Sequence, residues 1–221
     1  LEGCLSIAAP RASPLRAAAD APAMQRFEFI APHMGMQARI VLYADDADRA
    51  RAAGDAAFAQ IAVPDAILSD WRDDSEVAKV NAAAGGEPVH VRADLINVLQ
   101  RSIEVSRLSD GAFDVTIGPV TQLWRLARER QQSPAQVEID EAQALVNWRS
   151  IEIDEHRRTL RLAKPGMRLD FGGIGKGYAA DRALVILRDR HMPACLVALA
   201  GDIALGDPPP DASGWLIAIA D

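Results

Sequence analysis

Four glycines and one lysine fall within thirteen consecutive residues, LDFGGIGKGYAAD, from Leu169 to Asp181. An apolar run precedes the stretch and a helix-like run follows it, so it reads as a strand-to-helix turn built around bare backbone. Glycines let backbone N–H and C=O groups approach a ligand closely. The N-terminus of the following helix aims its positive end at the loop. Lys176 adds a cation there, and Asp170 brings a carboxylate to the end of the strand. A P-loop would need a glycine five residues before Gly175-Lys176 and a hydroxyl after it. Asp170 and Gly177 occupy those places, so that reading fails twice. A Rossmann turn matches better, because Gly175, Gly177 and Ala180 fit G-x-G-x-x-A between two strands. The acid that should follow about 20 residues later is missing, and Asp202 comes several residues late. A dinucleotide turn and a different anion-holding turn both stay open, beside the plain alternative of a tight turn with a solvated lysine.

The whole chain narrows the choice. Its 221 residues, 49% apolar, can bury one large core. With 24 basic and 31 acidic residues the net charge is −7. This disfavours nucleic acid as a partner, since neutralising phosphates needs a basic face. An anionic nucleotide would have to rely on a local site. Lysine occurs only at 79, 164 and 176, and one of the three is in the glycine stretch.

Residues 1–25 are rich in Ala, Pro and Ser and read as a flexible leader or tether. They contain Cys4 in LEGC, which is similar to the box of a lipidated bacterial cysteine, although Glu2 is atypical in it and no apolar segment precedes it. The other cysteine, Cys195, lies in an apolar strand-like run and reads as a buried thiol. Residues 26–221 read as one domain.

Within that domain the expected order begins with a hairpin over 26–44. A helix over 45–63 follows, with Ala53, Ala57, Phe58 and Ile61 on one face and Pro64 just past its end. Asp73 and Glu76 have capping-box spacing before a short helix. A helix over 92–110 buries Leu95, Val98, Leu99 and Ser102, with Gly111 at its C′ position. An extended segment from Ala112 ends at Gly118-Pro119, and a helix covers 120–130. Ser133-Pro134 starts the next helix, which runs to about Val146. A hairpin over 151–163, a strand over 167–171, a helix over 177–190 and strands over 194–200 and 214–220 complete the pattern. The mixture of hairpins and helices is an α+β fold.

Three further stretches stand out. Asp114 in GAFDVTIGPVTQLW sits between apolar residues, where a carboxylate is costly unless it is bonded. It serves either to cap its own turn or to face a pocket. Trp71 in LSDWRDDSE either packs on the surface or stacks on a planar ligand. Met34-Gly35 marks the tip of the first hairpin. The four histidines, at 33, 90, 156 and 191, have no metal-ligand or triad spacing.

In order, Met34-Gly35, the W…DSEVAKVN loop and helix, GAFDVTIGPVTQLW, LDFGGIGKGYAADRA and AGDI resemble one family over 26–221: the FAD:protein FMN transferases, the ApbE family. The resemblance implies an ApbE-like (T-fold-like) domain of mixed or antiparallel sheets with flanking helices, enclosing FAD. It implies cleavage of the FAD pyrophosphate and attachment of FMN, through a phosphoester, to a Thr or Ser of a target protein, with Mg²⁺ required. Targets in the family are typically subunits of membrane redox complexes outside the cytoplasm, which suggests an extracytoplasmic protein with a tether at Cys4. By position, Met34, Trp71, Ala112, Phe113, Asp114, Asp170 and Lys176 would contact FAD, Lys176 and Asp170 would serve catalysis, and the Gly173 carbonyl would face the metal. Alternatives are a periplasmic FAD-binding lipoprotein, an FAD pyrophosphatase without transfer, and, further off, an NAD(P) oxidoreductase. The family's later His-Ile-x-Asp-Pro stretch and metal-binding Asp/Thr helix are absent from these 221 residues, so the sequence is expected to be a piece of a longer protein.

Overall fold

The computed structural model describes residues 23–69 and 72–218. Cys4, Trp71 and residues 219–221 lie outside the described residues. Two antiparallel sheets are each backed by helices, an α+β arrangement.

The first sheet grows from the hairpin of β1 (Gln25–His33) and β2 (Met36–Ala44). Met34 and Gly35 turn the chain with φ of 51° and 74°, the double left-handed turn that matches strand twist. The sheet runs β1-β2-β6-β7, with β6 (Cys195–Leu199) paired to β2 and β7 (Asp202–Leu205) at the edge. Alternate residues Ala38, Ile40, Leu42 and Ala44 point to one face and are buried there, as period-two side-chain alternation requires. Two helices cover that face: α1 (Ala47–Leu68), capped by the Asp46 carboxylate, and α6 (Gly175–Asp189). They meet through small residues, Ala50, Ala53 and Ala57 on one and Ala179, Ala180 and Ala183 on the other, all buried. Gly54 makes room for Phe29: a Cβ there would lie 2.9 Å from the ring.

The second sheet, β3-β5-β4 (Val89–His90, Thr159–Leu162, Ile151–Asp154), is smaller. Its core gathers Leu160 and Leu162 with Val77 and Val80 of α2 (Glu76–Ala82) and with Leu95, Val98 and Leu99 of α3 (Ala93–Leu108). Ile67 and Leu68, at the end of α1, belong to this second core, whereas Ile61 belongs to the first. α1 therefore ties the two cores together.

The structure departs from several sequence expectations. α1 does not stop before Pro64 but runs through it to Leu68. An internal proline costs roughly 3 kcal/mol; burying Ile67 and Leu68 beyond it offsets that loss. α2 is capped by Ser75, whose Oγ accepts the Ala78 N–H at 2.9 Å, not by Asp73. Asp110, not Gly111, takes the C′ position of α3 with φ of 50°, and Gly111 follows at 81°, its N–H bonding Ser106 O at 2.8 Å. With the Asp110 N–H bonding Arg107 O at 3.3 Å, the two bonds make a Schellman ending. Gly118-Pro119 opens helix α4 (Gly118–Arg130) instead of ending a strand. α5 is shorter than expected, Gln136–Gln143, because Glu138 reaches back to the Ala135 N–H at 2.7 Å and sets the start there. Residues 167–171 form no strand; one parallel bridge, Ile117 to Arg168, replaces it. α6 begins at Gly175, two residues early. Residues 214–218 are irregular, and Trp215 bonds Asp207 O at 3.0 Å.

Gly118 is required by close approach: a Cβ there would meet Arg168 O at 2.6 Å. Gly118→Ala should lower unfolding stability by roughly 1–3 kcal/mol in chemical denaturation, because it must push α4 off residues 168–170.

Cys195 is fully buried, and burial pushes its thiol up to about 11 from 9.0. The native state thus favours the neutral thiol, so this contribution is intact below pH 9 and is lost as the pH rises toward 11. Melting temperature should fall over that window in the wild type and fall less steeply in Cys195→Ala.

Candidate functional site

A cleft of about 520 Å³ opens between the tip of the first hairpin, the end of α1 and the start of α6. Its walls are Met34 and Gly35, then Asp65, Leu68, Ser69 and Arg72, then Phe171, Gly172, Gly175 and Lys176. Three chain segments far apart in sequence supply it. The two-residue β turn brings the Met34 methyl to 3.7 Å from the position that a Cβ of Gly175 would take; Leu68 stands 3.5 Å from the same point. Any side chain at Gly175 would therefore narrow the cleft.

Asp170 holds the glycine loop in place from behind. It is only 7% exposed. Oδ1 accepts the Gly172 N–H at 2.7 Å, and Oδ2 accepts the Thr121 hydroxyl at 2.7 Å and Arg125 at 3.4 Å. Its own N–H donates to Val115 O at 2.8 Å. One carboxylate thus joins α4 to the loop that begins the cleft wall. The Phe171 carbonyl then accepts from Ile174 and Gly175, at 3.0 and 2.7 Å, and tightens the loop into α6. No side chain caps α6. A helix start without a side-chain cap leaves N–H groups for water or an anion.

Lys176 is in the first turn of α6. Its ammonium is 3.4 Å from the Asp202 carboxylate, at the start of β7. Arg72, the other cation of the wall, is bonded to Asp74 at 3.0 and 3.1 Å. That bond holds the Asp74 carboxyl below the usual carboxylate range.

The expected site residues divide into three groups. Met34 and Lys176 line the cleft together. Asp170 and Gly173 lie in the loop that forms its wall, and the Phe113 ring edge sits 3.1 Å from where a Gly173 Cβ would be. Ala112 and Asp114 are not part of the lining. Asp114 is engaged by the protein itself: Oδ1 accepts the Thr116 N–H and hydroxyl at 2.8 and 2.7 Å, and Oδ2 accepts the Trp148 N–H at 3.0 Å. It stitches the loop before α4 to the turn before β4. Among the described residues no three His, Cys, Asp or Glu side chains are grouped to hold a metal ion.

Sequence reasoning missed Asp65, Leu68, Phe171 and Thr121. The first two became visible only once α1 was seen to pass Pro64. Phe171 looked like part of a strand, and Thr121 like one more helix residue.

The model of the ApbE family matches residues 34–221. The chain belongs to the ApbE family. It is 32% identical over 177 residues to an FAD:protein FMN transferase of Klebsiella pneumoniae, covering 80% of this chain and 55% of that protein. It is 32% identical over 180 residues to one of Treponema pallidum, covering 78% and 50%. The chain spans about half the length of these curated relatives. Solved ApbE structures share the fold. The Thermotoga maritima protein aligns with TM-score 0.81 at 27% identity, covering 89% of this chain and 64% of that one. The Pseudomonas stutzeri flavinyl transferase ApbE, in its apo form, aligns with TM-score 0.79 at 28% identity, covering 89% and 62%.

Removing the Thr121 hydroxyl should leave one oxygen of a buried carboxylate short of a donor. Thr121→Val is expected to lose roughly 1.5–3 kcal/mol of stability in urea unfolding, while Thr121→Ser stays close to the wild type.

Proposed function

We propose that this protein is an FAD:protein FMN transferase, with the hairpin–α1–α6 cleft as its FAD site. The observation that carries the reading is the placement of Lys176 and the uncapped start of α6 on one cleft wall, within a family whose relatives bear that name. An apolar wall of Met34, Leu68 and Phe171 suits a planar ring. The cationic corner suits a pyrophosphate.

In the proposed reaction the hydroxyl oxygen of a target Thr or Ser attacks the FMN-side phosphorus. The bridging P–O bond breaks, FMN becomes a phosphoester on the target, and AMP leaves with the bridging oxygen. The hydroxyl proton passes to solvent or to the leaving phosphate. Negative charge grows on the phosphoryl oxygens as the bridge breaks, and a fixed ammonium and helix N-terminus stabilise that charge. Asp170 sets the loop that carries them. Ala112, Phe113 and Asp114 would act from the neighbouring loop, and Trp71 from the segment after α1.

Magnesium enters the proposal through the Gly173 carbonyl. The described residues do not complete a metal set; a magnesium ion held there would neutralise charge on the phosphates. The acceptor is a protein outside the cytoplasm, such as a subunit of a membrane redox complex, and a lipidated Cys4 would tether this chain to the membrane beside it. No helix among the described residues is long and apolar enough to cross a membrane.

Incubating the protein with FAD, Mg²⁺ and a threonine-bearing acceptor should give a target carrying covalent flavin, seen by mass and in-gel fluorescence, with AMP released. FAD hydrolysed without flavin on any acceptor would instead make it a pyrophosphatase. Lys176→Ala should reduce the rate of pyrophosphate cleavage by roughly 10²–10³-fold with a much smaller change in FAD affinity. Loss of affinity alone, at unchanged turnover, would contradict the role given to the lysine.

A further inference from the structure

Asp65 is the acid of the cleft wall, and the proposed phosphoryl chemistry does not use it. It sits in the last turn of α1, which contains no basic residue. The carbonyl end of a helix disfavours a carboxylate, and the attraction of Arg72, a weaker one than that between Arg72 and Asp74, is the charge contact it has nearby. Among the described residues its one hydrogen bond is a long one, from the Met34 N–H to Oδ2 at 3.4 Å. Oδ1 has no hydrogen-bond partner among those residues. Around it the wall is mostly apolar or bare backbone: Met34, Gly35, Leu68 and Phe171. The cleft's two cations have carboxylates of their own, Asp202 for Lys176 and Asp74 for Arg72.

The cleft therefore offers one acceptor oxygen, Asp65 Oδ1, without a donor among the described residues on its α1 side, and a cation on its α6 side. A carboxylate without its proton can only accept, so its complement is a donor on the ligand. Apolar walls and a thioether favour an aromatic ring beside it. We propose that Asp65 is a specificity-determining residue that accepts an N–H from the edge of the ligand's heteroaromatic ring. This rests on the flavin-dinucleotide reading of the cleft. In such a ligand two edges have that chemistry, the exocyclic amine of adenine and the imide N–H of the flavin. A site built around a ligand N–H rejects an analogue that lacks it, because the acceptor is left unpaired. The Met34 bond to the same carboxylate would also couple the hairpin tip to ring binding.

Calorimetric titration with FAD, and with AMP against N6,N6-dimethyl-AMP and FMN against 3-methyl-FMN, tests this. In the wild type one methylated compound should bind about tenfold or more weakly than its parent, and which pair shows the gap names the edge. The gap should close in Asp65→Ala and narrow in Asp65→Asn, which keeps an acceptor oxygen and the Met34 anchor but loses the charge. Melting curves report whether either variant still folds; if the alanine variant does not, the asparagine variant decides. Absence of a gap in both pairs, or a gap of full width in either folded variant, overturns the role of Asp65 while leaving FAD binding intact. A wild type that binds no FAD overturns the flavin reading and this inference with it.

Discussion

A buried carboxylate that accepts three donors from two separate segments organises this site. Asp170 takes the Thr121 hydroxyl and Arg125 from α4 and the Gly172 N–H from its own loop. A carboxylate with so little exposure is costly unless it is bonded in this way. Because the bonds come from both sides, the start of the glycine loop cannot shift without leaving a buried oxygen unpaired. The close approach of Gly118 to Arg168 and the Ile117–Arg168 bridge press the same two segments together. The position of Lys176, six residues further on, follows from that clamp and from the packing of α6 on α1.

α1 carries the second constraint. Its first part covers the larger sheet and its last turn enters the smaller core. The cleft forms where these meet: Leu68 and Phe171 of its walls belong to the smaller core, while α6 packs on the larger sheet. The hairpin tip closes the third side through a turn of fixed geometry. Such a cleft is held open by packing on three sides rather than by a single loop.

Much of this was legible in the sequence, and the exceptions have physical causes. The hairpins, the amphipathic face of α3 and the buried run of β6 show plain periodicity, and they formed as expected. The glycine stretch announced a turn at a helix start. What local pattern could not show was long-range compensation. Pro64 reads as a helix end until the burial of Ile67 and Leu68 is known, and with it went Asp65 and the α1 wall. Residues 167–171 read as a strand, yet their partner is the loop before α4, which offers one bridge only. Asp114 and Asp170 look alike in sequence, each flanked by apolar residues. In the fold the first bonds Thr116 and the Trp148 N–H, whereas the second fixes the cleft's glycine loop.

A flavin dinucleotide bound in this cleft should place its pyrophosphate at the start of α6. A crystal structure of the protein soaked with FAD tests it most directly. The pyrophosphate oxygens should lie within hydrogen-bond reach of Lys176 and the glycine-loop backbone, with a ring against Met34 and Leu68. FAD bound elsewhere, or with its phosphates turned away from α6, would contradict it.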